Sequence, residues 1–530
     1  MASAQQSESG TTWSRAGTAV LAIVVYGMAV LGMCLGLGTY PTLDILYRGL
    51  QLFVLDDQAL DPPTQVNTLL QLARFLAPFT TLLALVLTLR RLLAEQLHRR
   101  RIAAMKGHAI VSGDDETALA LARNLTEVGR AVVGVGAAFG TPGAAQLPAV
   151  PGDPRDAATL RAAGLVGASA VYACADHSTD NAAVALAAIA ERAGVPSRLR
   201  VFAQVRSDSL VEALRLQRIS TGDPAHAKLE FFNVDDIAAR ALLARYPVES
   251  GSPVVCGFGR TGRAVLRAIV RGPGGAGPRP VIVSGARPDA VERDANRLDA
   301  EARGWVVRAG TARDGDGIVY VCLDDEEDAL ATGLRLGAAR ERTVVVCLRR
   351  QSPFRETLAG SDGVHIFGIL DEACQPSAIE SDSIVDRAAR AIHEGYLAEA
   401  EQRGESRQTN KSLVPWQELP QHLKESNYAQ AEHMGRKLQE IGAVLVGDRP
   451  REPFEFTAEE LQRLARLEHA RWMEERLAAG FVHGPRREGR FHPDLVDWPE
   501  LSEESRQKDV DAVLHLPDVL AADGIYIARR

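Results

Sequence analysis

The chain has 530 residues, 46% of them hydrophobic and 24% charged, which is enough for three or four ordinary folded domains. Aromatics make up only 5%, so small-residue α/β layers are expected rather than an all-β sandwich. The formal net charge of -8 lacks the basic excess of a nucleic-acid binder, and nucleic acid is not an expected partner.

The first predicted element is an uncharged apolar run from about 16 to 37, long enough for a hydrocarbon core of about 30 Å. It exceeds a signal-peptide core, and no A-x-A cleavage pattern closes it. A second run spans about 69–89 and contains Arg74 near its start, placed to snorkel or to face a partner helix. Arg90, Arg91, Arg99, Arg100, Arg101 and Lys106 follow it, whereas the intervening loop has Arg48 against Asp44, Asp56, Asp57 and Asp61. The positive-inside rule then puts both chain ends in the cytoplasm, as a multi-pass protein of the inner (plasma) membrane in contact with lipid. Between the runs, TLDILYRGLQLFVLDD carries the apolar spacing of a short re-entrant or interfacial helix. Two readings stay open, a conducting pore and a plain anchor or oligomerisation unit. The TVGYG filter of potassium channels is absent.

From Gly107 onward strands alternate with helices, the pattern of parallel βαβ units. The runs AVYAC, PVVC, IVYVC and TVVVC place Cys174, Cys256, Cys322 and Cys347 in strands, as buried thiols of a reducing cytosol. With Cys34 and Cys374 they form no CxxC pair, so neither a disulfide framework nor a metal site is expected.

PVVCGFGRTGRAVLRAIVRG places Gly257, Gly259 and Gly262 in GxGxxG spacing between a strand and a helix. In such a turn the first glycine allows the tight bend, the second admits a pyrophosphate, and the third lets helix and strand pack closely. Arg260 and Thr261 begin the helix, whose N-terminus favours an anion. An earlier copy, HAIVSGDDETA, keeps Gly113 but has Asp115 and Ala118 at the other glycine positions. A carboxylate repels phosphate, so this copy is expected to be a structural half. At the ribose position the second copy offers Ser284, with Arg287 nearby, instead of Asp or Glu. Ser and Arg suit a 2′-phosphate or another anion, and a solvated loop fits equally. NAD(H), NADP(H) and ATP-like nucleotides all remain open as cofactors.

The stretch GDPRDAATLRAAGLVGASAVYACADHSTDN resembles the RCK/KTN (TrkA-N) domains that regulate potassium channels and transporters. Gly152, Asp153, Leu160, Ala163, Gly164, Asp176, Asp180 and Asn181 stand where that family's pattern expects them. The resemblance covers about 106–395 as a tandem pair. It implies nucleotide- or ion-controlled gating of a membrane partner, and a homo-oligomer (dimer or tetramer). Asp115, Ala118 and Ser284 depart from the nicotinamide-binding pattern. The acidic string Asp324, Asp325, Glu326 and Glu327 is read as a solvated helix start, with a cation site as the alternative.

GESRQTNKS is a plausible linker, and three of the five Trp (Trp416, Trp472 and Trp498) lie beyond it. TAEE opens a long helix as a capping box, with Thr457 as N-cap and Glu460 at N3. His469, Trp472 and Arg476 share one face of that helix and suit a planar anionic ligand. The alternative is a core Trp flanked by salt bridges, with Glu468 among them.

The segment from Glu468 to Asp509 resembles the RyR domain, the ryanodine receptor repeat. The shared positions are Glu468, His469, Trp472, Arg476, Gly480, Gly484, Pro485, His492, Pro493, Leu495, Val496, Trp498 and Leu501, followed by Arg506 and Asp509. The match spans about 412–527 and implies a small, mainly helical module binding a nucleotide-type ligand. Its candidate ligand residues are Glu468, His469, Trp472, Arg476, His492 and Trp498.

The expected architecture is two transmembrane helices, tandem Rossmann-like doubly wound parallel sheets, and a small helical domain. The boundaries are 1–104, 105–250, 251–400, a linker at 401–411, and 412–530. The expected function is ligand sensing by a nucleotide-regulated channel or channel-like oligomer. A non-conducting nucleotide-signalling or defence protein is the alternative, and an NAD(P)-dependent oxidoreductase a minor one. No catalytic set is visible near the glycine turns, so an enzyme is not expected.

Overall fold

The computed structural model describes residues 2–36, 41–54, 67–140, 147–192, 199–221, 227–272, 278–301, 303–338, 342–350, 363–402, 404, 412–447, 450, 452–486, 489–522 and 525–529. Asp56, Asp57, Asp61 and residues 403 and 405–411 of the expected linker lie outside them. The chain divides into two compact units. One comprises Met1–Lys106, Val133–Asp153 and Ala158–Gly167; the other comprises Gly107–Val132, Pro154–Ala157 and Ala168–Arg530.

The membrane-type part has helices α1 (Ala2–Gly36), α2 (Thr42–Gln51) and α3 (Thr68–Ala104). Within them, Gly17–Leu35 and Thr68–Ala104 are long and apolar enough to cross a membrane. Both helices extend past the apolar runs seen in the sequence, and α3 continues through its basic end without a break. Small residues let α1 and α3 approach: Ala29, Ala73 and Ala77 are fully buried beside Val25, Met33 and Leu70. Asn67 caps α3 by accepting from Leu70 N at 2.9 Å and donates to Gly32 O at 2.9 Å, tying the two helices together. Arg74 is exposed. Helix α2 occupies the interfacial segment, with Ile45 and Gly49 buried and Leu43, Tyr47 and Leu50 exposed.

Two six-stranded parallel sheets follow. The first contains β1 (Ala109–Ser112), β2 (Val132–Val135), β3 (Ala149–Val150), β4 (Ala170–Ala173), β5 (Leu199–Gln204) and β6 (Ala227–Phe232), in the order β3-β2-β1-β4-β5-β6. Its helices are α4 (Glu116–Glu127), α5 (Ala157–Ala162), α6 (Ser178–Glu191), α7 (Asp208–Thr221) and α8 (Val234–Arg245).

The second sheet contains β7 (Val254–Cys256), β8 (Arg279–Ser284), β9 (Trp305–Gly310), β10 (Val319–Val321), β11 (Val344–Leu348) and β12 (Val364–Gly368). Its order, β12-β11-β10-β7-β8-β9, repeats that of the first. Helices α9 (Arg260–Arg271), α10 (Pro288–Arg297) and α11 (Glu326–Gly337) belong to it. This is the doubly wound α/β topology, and each glycine-type turn lies where the strand order reverses. The central strands are apolar on both faces because helices cover both, as with Val344–Leu348, buried throughout. Cys174, Cys256, Cys322 and Cys347 lie buried at or beside the strand ends.

Three helices leave the second sheet: α12 (Ile369–Ala373), α13 (Pro376–Ser381) and α14 (Ile384–Gln402). Glu380 on α13 binds Arg130, Tyr172 and Arg200 of the first Rossmann-like fold, donating groups lying at 2.8 Å for Tyr172 and 3.0 Å for Arg200. Asp382 is sealed by Arg215, Arg240 and Arg387.

The expected boundary at 400 falls inside a packed element. Ile384, Val385, Ala388 and Ala389 of α14 belong to the same buried core as Trp416, Met434, Leu438, Leu464 and Leu516. The rest of this module is α15 (Gln421–Glu432), α16 (Met434–Glu440), β13 (Ala443–Val446), α17 (Ala458–Ala478), β14 (Val482–His483), β15 (Phe491–His492), α18 (Glu503–Leu514), α19 (Leu516–Ala522) and β16 (Tyr526–Arg529). Strand β13 pairs antiparallel with β16. The capping box of α17 has both bonds: Glu460 N donates to Thr457 Oγ1 at 3.2 Å, and Thr457 N donates to Glu460 Oε2 at 2.8 Å.

Candidate functional site

Gly257 ends β7 at φ +97°, a conformation that L side chains rarely adopt, and a Cβ there would lie 2.5 Å from Cys322 O. A Cβ on Gly262 would collide with the Gly257 carbonyl, and one on Gly259 would lie 2.6 Å from Asp324 Oδ1. Each glycine therefore meets a steric demand. Gly259 is the N-cap of α9 and supplies no side-chain cap, so no cap side chain takes up the helix's first N–H groups.

This turn opens on a cleft of about 950 Å³. Gly259, Arg260 and Thr261 line it from the turn, with Asp324 and Arg349 beside them, and Glu116 and Arg206–Ser209 come from the first Rossmann-like fold. Thr261 Oγ1 donates to Asp235 Oδ1 at 2.7 Å, and Arg260 Nε lies 3.9 Å from the same carboxylate. Arg263 lies 5.0 Å from the centroid of Phe258 and 3.5 Å from Asp294.

Ser284 and Arg287 are not among the cleft's lining residues. Ser284 ends β8, where its carbonyl accepts from Gly257 N at 2.9 Å. Arg287 is exposed and faces Asp289 at 3.7 Å. The cleft beside the uncapped helix start is lined by both signs of charge, with Glu116, Asp208, Asp235, Asp324 and Glu326 among arginines that include Arg260 and Arg349.

The first copy fills its own turn. Asp115 is the N-cap of α4; its Oδ1 accepts from Ala118 N at 3.1 Å, and its Oδ2 accepts from Arg206 at 2.9 Å. Arg206 also pairs with Asp176. A side-chain carboxylate therefore stands where the second copy leaves its helix end uncapped. Asn181, a motif residue, is fully buried as a staple: it accepts from Ala175 N at 2.7 Å and donates to the Ala175 and Gln204 carbonyls, both at 2.9 Å. In the acidic string, Asp325 caps α11 through Asp328 N, and Glu326 accepts from Arg349 N at 2.9 Å. Among the described residues no metal-binding cluster is present.

The C-terminal module brings His469, Trp472, Arg476, His492 and Trp498 together. Trp472 stacks on His469 with centroids 5.8 Å apart and meets His492 edge-on at 4.8 Å. Trp498 meets His469 at 5.9 Å. Arg476 lies over Trp472 at 5.8 Å and over Phe481 at 5.4 Å, and among the described residues it makes no ion pair.

His469 faces an acceptor at each ring nitrogen, Val496 O at 2.8 Å and Asp509 Oδ2 at 3.3 Å. Burial alone would lower its pKa, but these two partners outweigh burial and raise it, favouring the imidazolium. Phe481 joins this cage although it has no place in the sequence motif; only its position just beyond the helix end signals it.

Glu468 stands apart from the cage. It is buried with Lys437, which is itself fully buried, and accepts from Arg471 at 2.7 Å. Burial pushes its carboxyl up, but Lys437 and Arg471 outweigh that and hold it at about 2. A depressed carboxyl stabilises the fold above its unfolded value of about 4.3 and loses that contribution as pH falls toward the folded value. The module is expected to lose on the order of 3 kcal/mol between about pH 4.5 and pH 2. Urea unfolding across that range checks this, and Glu468→Gln should flatten the dependence while lowering stability at pH 7.

Residues 109–221 match the TrkA-N domain family. This span runs from β1 through α7, so the similarity covers most of the first Rossmann-like fold. No curated protein matches the chain.

Among solved structures, one titled "GsuK Channel" is 18% identical with a TM-score of 0.40, covering 70% of this chain and 98% of that one. The GsuK structure bound to ADP is 16% identical with a TM-score of 0.37, covering 69% and 96% respectively. The GsuK channel bound to NAD is 14% identical with a TM-score of 0.36, covering 87% and 91%.

Proposed function

We propose that this chain is a membrane-anchored sensor in which a nucleotide seated at the Gly257–Gly262 turn sets the state of a channel-like homo-oligomer. The observation that carries the reading is the α9 N-terminus, left without a side-chain cap and open to a cleft of about 950 Å³. Backbone N–H groups at a helix start, backed by Arg260 and Arg349 in the cleft, are an anion site of the kind that takes a pyrophosphate. The cleft's ionisable lining consists of arginines, carboxylates and the thiol of Cys347.

The TrkA-N match supports a regulatory role for the Rossmann-like pair. The two apolar helices support membrane anchoring, and the basic residues after the second support cytoplasmic ends. Exposed Leu43, Tyr47 and Leu50 on α2 support packing against further copies. Coupling requires that the nucleotide bind two conformations with different affinity.

ADP and NAD, the ligands named for GsuK, are the first probes. Calorimetry on the detergent-purified full chain should detect binding of at least one. Ion flux in liposomes should then change when that nucleotide is added. Flux that never appears, under a ligand that measurably binds, would leave a non-conducting signalling anchor, a reading favoured by the missing TVGYG filter.

The RyR-like cage is proposed as a second ligand site, for a planar anion contacting Trp472 and Arg476. Trp472→Ala is expected to weaken such a ligand by about 1–3 kcal/mol. Calorimetry with the same nucleotides checks this. Loss of the folded module without a prior change in affinity would mark Trp472 as a core residue.

A further inference from the structure

A separate cavity of about 460 Å³ lies among α8, α9 and the first residue of β9. One wall is apolar, with Leu243, Val248, Ile269 and Trp305. Arg240 and Arg279 line the same space, as does Asp236, which pairs with Arg267 at 3.1 Å, and Ala244 and Pro247 at its rim are exposed. The volume suits a small organic molecule.

Two groups of this cavity, the Arg279 guanidinium and the Trp305 N–H, lack an anionic partner or an acceptor among the described residues, and two further arginines share one carboxylate. Arg279 lies 5.1 Å from the Trp305 ring centroid and donates to Gly251 O, but among the described residues it has no carboxylate partner. Arg240 and Arg215 share the single carboxylate of Asp382. The Trp305 indole is 2% exposed, and its Nε1–H finds no acceptor among the described residues. A buried donor without a partner costs about 1–3 kcal/mol, so such groups normally meet an acceptor.

We propose that this cavity binds a small aromatic anion, its ring on the Leu243–Val248–Trp305 wall and its oxygens taking the Trp305 N–H and the Arg240 and Arg279 guanidiniums. The aromatic body removes apolar wall from water, and the oxygens supply the charge and the acceptor that the wall lacks. A carboxylate and a phosphate monoester share this chemistry. The site is distinct from the cleft at Gly259, and no residue named here lines that cleft.

The test is calorimetry on the full chain with 1-naphthoate, 1-naphthyl phosphate and 1-naphthol. At least one anion should bind tenfold or more tighter than the neutral naphthol, and which one binds identifies the headgroup. Ala268→Phe fills the cavity from α9 and should abolish that binding. Trp305→Phe keeps a ring but removes the N–H, and should weaken binding about tenfold. Gly259→Asp should leave it unchanged.

Equal binding of naphthol, or full binding by a folded Ala268→Phe protein, would overturn the proposal. Loss in Gly259→Asp with retention in Ala268→Phe would do the same by moving the ligand to the other cleft. If Ala268→Phe does not fold, Trp305→Phe decides the matter, and unchanged affinity there overturns the proposal.

Discussion

Asp382→Ala is expected to destabilise the α/β body by about 3–5 kcal/mol. The Asp382 side chain is 1% exposed and receives guanidiniums from α7, α8 and α14, with Arg215 at 2.6 Å and Arg387 at 2.8 Å. Removing the carboxylate leaves positive charges facing one another in a low-dielectric setting, which costs more than the bonds themselves contributed. Burial pushes the Asp382 carboxyl up, yet the three arginines outweigh burial and hold it below the usual range. Its stabilisation is therefore complete above the unfolded value of about 3.9 and fades as pH falls toward the folded value. Asp382→Asn should recover the shape but not the charge, and so fall between wild type and Asp382→Ala. Urea unfolding at pH 7 measures the series. A loss under about 1 kcal/mol for Asp382→Ala would show that the guanidiniums find other anions, as exposed ion pairs do.

Gly259→Asp is expected to weaken nucleotide binding at least a hundredfold, about 2.8 kcal/mol. The new carboxylate would cap α9 as Asp115 caps α4, occupying N–H groups that the phosphate needs. Its Cβ would also press on Asp324, 2.6 Å away, adding negative charge beside an existing carboxylate. The fold should persist, because the first copy carries Asp at the corresponding position. Calorimetry with ADP and NAD, alongside circular dichroism, tests both halves of the expectation. Unchanged affinity with an intact fold would make the turn purely architectural.

The tandem sheets were legible because buried parallel strands write themselves as short apolar runs, and because GxGxxG has a local steric reason at every glycine. The capping box at Thr457 was equally local. Less legible were features made by distant parts of the chain. Lys437, 31 positions before Glu468, seals that carboxylate away from the aromatic cage, and no spacing rule connects the two. Glu380 meets Arg130 across 250 positions. Helix α14 is amphipathic in either setting, and its pattern does not tell which core Ile384 and Ala388 enter. Ser284 and Arg287 were placed by strand-end logic. The exposed start of α10 points Arg287 toward Asp289, and neither residue lines the cleft.

The capped turn at Asp115 has a consequence for how the molecule counts. A domain that carries its own anion cannot report the concentration of a soluble one. Of two matching receptacles, one is permanently answered from within by Asp115 and Arg206. If the Gly257–Gly262 turn holds a nucleotide as proposed, a titration at the glycine turns should then saturate at one nucleotide per chain.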